Sequence, residues 1–140
     1  MKLSDEQITV FATICAALND EDDMLKREIL THAGNRWSLN VIYTLGVNGT
    51  LRHAELAKAM PGVTQRMLTR TLRSLEREGL ISRYDHQRKQ PHPRVDYSLT
   101  ELGKGMLTNM LPLWHWVIDN AALIRDSRTR FDTKEGRSGI

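Results

Sequence analysis

The chain has 140 residues, the length of one domain around a single core, and 40% apolar residues with only four prolines exclude a disordered polymer. No apolar run approaches the roughly 18 residues that a membrane span needs, and "MKLSDEQITVFATIC" lacks the charged leader, long apolar core and cleavage site of an export signal. The net charge is +3, but Arg52 to Arg94 alone carries +6, so the basicity sits in the middle of the chain, as on proteins that meet a polyanion. The single cysteine excludes an internal disulfide and fits a reducing compartment.

In chain order, Ser4 caps a first helix with Gln7 at the capping-box position, and Ile8, Phe11, Cys15 and Leu18 recur on one face. On that apolar face Cys15 reads as a small buried core residue rather than a reactive thiol. The acidic run Asp20 to Asp23 interrupts the pattern, and a charged second helix is expected from Met24 to about Ala33. Asn35 caps a third helix, "RWSLNVIYTLG", with Trp37, Val41 and Leu45 in register and Gly46 as its stop. "LRHAELAKAM" is a short helix opened by Arg52 and His53, with Leu51, Leu56 and Met60 inward, and Pro61-Gly62 ends it.

A turn of about three residues then leads to Thr64, a good N-cap, and to "QRMLTRTLRSLEREGLI". At 100° per residue Arg66, Arg70, Arg73 and Arg77 fall within an arc of roughly 60°, and Leu68, Leu72 and Leu75 occupy a similar arc on the opposite side. One face is built for burial and the other is a guanidinium stripe, which serves either as a solvated surface or as a surface that meets phosphate. Two helices joined by so short a turn form a helix-turn-helix, closed by Gly79.

"LISRYD" and "RVDYSLT" alternate with period two around the polar "HQRKQPHP", a hairpin with a basic tip. Thr100 caps a long last helix in which Leu102, Met106, Met110, Leu113, Trp114 and Val117 keep helical spacing, with a kink expected at Pro112 and a frayed polar tail after Ile124. Catalytic chemistry has little to stand on. The five histidines are scattered, no phosphate-binding glycine loop is present, and His86 and His92 near Asp85 and Asp96 lack a second paired ligand motif, so no enzyme activity, cofactor or metal is expected.

The segments "RWSLNVIYTL", "RHAELAKAMPGVTQRMLTRTLRSLEREGLISR" and "PRVDYSLTELGKGML" resemble, in order and spacing, the signatures of the HxlR-type transcriptional regulators, a branch of the MarR-like winged-helix proteins. The resemblance covers about half the chain and implies a mainly α fold with a small β-hairpin wing, in a single domain over 1–140. Residues of about 35–99 would form the DNA-binding core, and about 4–20 and 100–124 the N- and C-terminal dimerisation helices. It implies a homodimer on a pseudo-palindromic operator in double-stranded DNA, in the cytoplasm, with repression by exclusion of polymerase. Many redox-sensing members carry a cysteine shortly before the basic-Trp pair, where this sequence has about Met24.

In a helix-turn-helix the residues that open the second helix face base edges, which makes Thr64, Gln65, Arg66, Thr69 and Arg70 the base-reading candidates, since Arg pairs with guanine and Gln with adenine. Arg73, the wing residues Arg88, Lys89, His92 and Arg94, and Arg52 and His53 are the phosphate candidates. Arg77, at the C-terminal end, has a sufficient explanation in the helix dipole. Met106, Met110, Trp114 and Trp116 either pack in a core or subunit interface or line a small-molecule effector pocket. The rival reading is a winged-helix protein-interaction module that keeps the fold without binding DNA.

Overall fold

The computed structural model describes residues 1–87 and 93–138. Among the described residues seven helices and a three-stranded antiparallel sheet follow in the order α1 (Asp5–Ala17), α2 (Asp20–Gly34), α3 (Arg36–Asn48), β1 (Leu51–Arg52), α4 (His53–Ala59), α5 (Gln65–Arg77), β2 (Ile81–Asp85), β3 (Val95–Leu99), α6 (Glu101–Asp119) and α7 (Ala121–Ser138). No helix among the described residues is long and apolar enough to cross a membrane.

Leu68, Leu72 and Leu75 of α5 meet Val41, Ile42 and Leu45 of α3, Leu56 and Met60 around α4, and Leu80 and Ile81 at the entry to the sheet. These residues form one cluster, each no more than 2% exposed, on which Trp37, Leu51, Tyr97, Leu99, Met106 and Leu107 pack. The hairpin pairs Ile81 with Leu99 and Arg83 with Tyr97, and the sheet order is β1-β3-β2. The predicted caps form as side-chain chemistry requires. Asn35 Oδ1 accepts from Trp37 and Ser38 N–H at 3.0 Å each, Thr64 Oγ1 from Met67 N–H at 3.1 Å, and Thr100 Oγ1 from Gly103 N–H at 3.0 Å.

Several expectations are corrected. The acidic run starts a helix rather than interrupting one: Asn19 Oδ1 accepts from Asp22 N–H at 2.7 Å, and four carboxylates lie at the positive end of α2. Helix α3 runs past Gly46 to Asn48 and stops at Gly49, whose φ of +79° ends the helical path. Gly46 has another use, because a Cβ there would lie 2.7 Å from Leu107 Cδ2, so its bare backbone lets α6 pack closely. Leu51–Arg52 is a strand outside α4, paired with Tyr97 and Asp96 of β3.

The last helix continues through Pro112 to Asp119 and ends at Asn120, whose side-chain Nδ2 donates to the Trp116 carbonyl at 2.8 Å. The tail beyond Ile124 is helical as α7, with an ion pair between Arg130 and Asp126 at 3.4 Å on adjacent turns. Cys15 is exposed, not buried, because α1 buries none of its residues in the single chain.

Candidate nucleic-acid interface

The turn between α4 and α5 bends at Gly62, with φ of +87°, while Val63 N–H donates to the Met60 carbonyl at 3.1 Å. With three leucines anchoring α5 in the core, its opposite face is fixed in orientation and left to solvent. Thr64, Gln65, Arg66, Thr69, Arg70 and Arg73 together line one open depression of about 830 Å³ along this face. The five base-reading candidates and Arg73 are therefore contiguous.

Arg66, Arg70 and Arg73 make no ion pair or side-chain hydrogen bond among the described residues. On a solvated helix surface arginines commonly pair with carboxylates three or four residues away; α5 offers Arg66 and Arg70 none, and Arg73 forms no ion pair with Glu76, three residues on. Arg77 differs: its Nη1 donates to Glu78 Oε1 at 3.0 Å, and Glu78 is itself half-buried. The one arginine with a sufficient structural explanation is the one with a partner.

His53, placed among the phosphate candidates, touches α5, with Nε2 3.2 Å from Thr69 Oγ1 across the α4–α5 junction. Arg52 and Arg94 line a shared hollow of about 520 Å³ at the other end of the sheet, with Thr50, Ala54, Glu55 and Asp96. There Asp96 organises the base of the wing. Its Oδ2 is 2.8 Å from His86 Nε2, and its Oδ1 accepts from Arg94 Nε at 3.4 Å. The hydrogen bond from His86, followed by that from Arg94, holds the Asp96 carboxyl below its ordinary range. Arg88, Lys89 and His92 lie outside the described residues.

The four residues named for an effector do not gather within one chain. Met106 packs on the core, Met110 is buried, Trp114 is half-buried, and Trp116, two residues further round the helix, is 57% exposed. Two features escaped the sequence: the direct contact of His86 with Asp96, a pair that enters the sequence reading only as candidate metal ligands, and Arg83, which lines one hollow with Arg73. The signal for both was cross-strand register, because pairing Asp85 with Val95 places Asp96 next to the wing base and Tyr97 opposite Arg83.

A model of the HxlR-like helix-turn-helix family matches residues 32–124. An HTH-type transcriptional regulator of Methanothermobacter thermautotrophicus is 39% identical over 100 residues, which cover 71% of this chain and 74% of that one. Among solved structures, the transcriptional regulator ytfH from Salmonella typhimurium is 33% identical with a TM-score of 0.61, covering 74% of this chain and 90% of its own. A MarR-family regulator from Enterococcus faecalis V583 is 30% identical with a TM-score of 0.60, covering 81% and 96%. The family match runs from the end of α2 into α7 and so contains the whole core, the α4–α5 pair and the sheet, and the chain belongs to the HxlR-like helix-turn-helix family.

Proposed function

We propose that the chain is a cytoplasmic repressor that binds a pseudo-palindromic operator as a homodimer, with Thr64, Gln65, Arg66, Thr69 and Arg70 reading bases. Membership of the HxlR-like family makes it a DNA-binding regulator of transcription, and its family is one of regulators rather than enzymes. The observation that carries the site assignment is the exposed face of α5, where three arginines without partners among the described residues adjoin the polar residues that open the helix. An unpaired guanidinium row beside Gln and Thr side chains suits base edges flanked by phosphate. The rival protein-interaction module would bring acidic partners to the same row, and family membership favours DNA.

Dimerisation is supported by what a single chain leaves uncovered. Phe11 and Ile14 of α1 are 57% and 53% exposed, and Leu113, Trp116 and Val117 of α6 and Leu123 of α7 are exposed as well. So much apolar surface on terminal helices suits an interface between two copies. The domain then comprises a DNA-binding core of about 35–99 and terminal dimerisation helices, of which the C-terminal set extends through α7. An effector would bind where Trp114 and Trp116 meet that interface, and no metal or cofactor takes part.

Selection of bound fragments from random duplex DNA tests the reading. The expected product is an inverted repeat with half-sites about one helical turn, 34 Å, apart. Retention on heparin without salt-sensitive binding to any duplex would replace this reading with the interaction module.

A further inference from the structure

Between α5 and the sheet lies a second open hollow, of about 670 Å³, lined by Thr69, Arg73, Glu76, Arg77, Arg83 and Tyr97. Strand β2 alternates, so Arg83 lies on the same face as Ile81, which is buried in the core. Its cross-strand neighbour Tyr97 packs on that core too. A guanidinium at a core-facing register position is costly to place, and here its side chain emerges 40% exposed at the margin of the core. Asp85 holds it weakly, at 3.9 Å, while the other Asp85 oxygen accepts from Gln87 N–H at 2.8 Å. Across the hollow Arg73 has no partner among the described residues, Arg77 is occupied by Glu78, and Glu76 contributes one carboxylate to the lining.

We propose that Arg73 and Arg83 hold one backbone phosphate of duplex DNA between helix and sheet, making Arg83 a DNA-contact residue and Glu76 an opposing charge that limits the affinity of this seat. The proposal rests on the DNA-binding reading of α5 and adds to it the element that sets how that helix docks. Guanidinium forks match phosphate oxygens in geometry as well as charge. Cations from two elements on one phosphate fix the angle and depth of α5 in the groove, which a stripe along one helix does not do. Such a contact carries no sequence information and acts on every duplex alike.

The test uses the full chain, a duplex it enriches from random sequence, and an unselected duplex of equal length. Arg83→Ala should weaken both by about tenfold and lower the slope of log affinity on log salt by about one per subunit engaged. Glu76→Gln, on an exposed residue whose loss leaves the core intact, should tighten both. A scan of single methylphosphonate linkages should find one position per half-site whose neutralisation weakens the parent protein at least as much as Arg83→Ala does and weakens that variant, which keeps Arg73, by less. Parent binding that is salt-sensitive, with Arg83→Ala unchanged in affinity and slope or Glu76→Gln unchanged in affinity, would overturn the seat alone. Loss of all salt-sensitive duplex binding by the parent protein would overturn the DNA reading itself.

Discussion

Helices α1 and α5 are both 13 residues long and both carry periodic apolar residues, yet the chain treats them in opposite ways. Leu68, Leu72 and Leu75 of α5 are at most 1% exposed, whereas α1 buries nothing and leaves Ile8, Val10, Phe11 and Ile14 between 38% and 57% exposed. The two patterns also differ in breadth. The leucines of α5 keep to one side and arginines fill the other, while Ile8 and Val10 stand about 200° apart on α1, so its apolar surface wraps most of the helix. A helix apolar on one side needs one neighbour. A helix apolar nearly all round needs several, and among the described residues none buries a residue of α1.

The largest expected effect tests the covered half of this comparison. Leu72→Ala removes a side chain that is 1% exposed at the centre of the core and should cost about 2 to 5 kcal/mol in denaturant unfolding. The uncovered half should respond differently. Phe11→Ala combined with Ile14→Ala should raise the dimer dissociation constant at least about tenfold, since each side chain buried in an interface is worth roughly 1.5 to 3 kcal/mol. Sedimentation across a dilution series measures this directly. A parent protein that sediments as a monomer at micromolar concentration would break the comparison, leaving α1 with no partner at all.

Next in size are the arginines on the open side of α5. Arg66→Ala or Arg70→Ala should each cost about 1 to 3 kcal/mol on the selected duplex and relax preference at one base step. Arg77→Ala should change binding little, because Glu78 already holds that guanidinium at 3.0 Å. Equal losses from all three, measured by competition with unselected DNA, would reduce the stripe to a generic charged surface.

The contrast between α1 and α5 also explains what the sequence disclosed. Periodicity states that a face will be covered, which sufficed for α5, where the leucines met other parts of the same chain. It misled for Cys15, because the face that carries it is left open by the single chain. Caps were legible at Asn35, Thr64 and Thr100, since each depends on one side chain and the next three residues. Strand β1 was not, because two residues cannot display alternation and its identity comes from pairing with β3. Helix α7 was hidden by its polarity, although its residues support a helix without burying a face. Of the site, the contiguous row from Thr64 to Arg73 could be read from helical spacing, whereas Arg83 acquires its meaning only from cross-strand pairing with Tyr97.

The smallest expected effect concerns a region between these extremes, the wing base, where polar contacts rather than a core fix the geometry. Asp96 has its carboxyl held below the ordinary value of 3.8, first by the hydrogen bond with His86 and then by Arg94. Because the folded state binds this proton less readily than the unfolded chain, the ion-pair contribution is fully present above about pH 4 and disappears as pH falls through the lowered value. Asp96→Asn removes the titrating group while keeping an acceptor toward Arg94. The unfolding midpoints of the parent and of Asp96→Asn should therefore converge as pH drops below 4, with the parent the more stable above it. Hydrogen exchange of the His86 amide, which donates to the Arg94 carbonyl at 3.0 Å, should quicken in Asp96→Asn at neutral pH, after correction for intrinsic exchange, while amides of α5 stay unchanged. Parallel midpoint curves together with unaltered exchange at His86 would mean that backbone pairing alone holds the wing base, and the wing would then share the self-sufficiency of α5 rather than stand between it and α1.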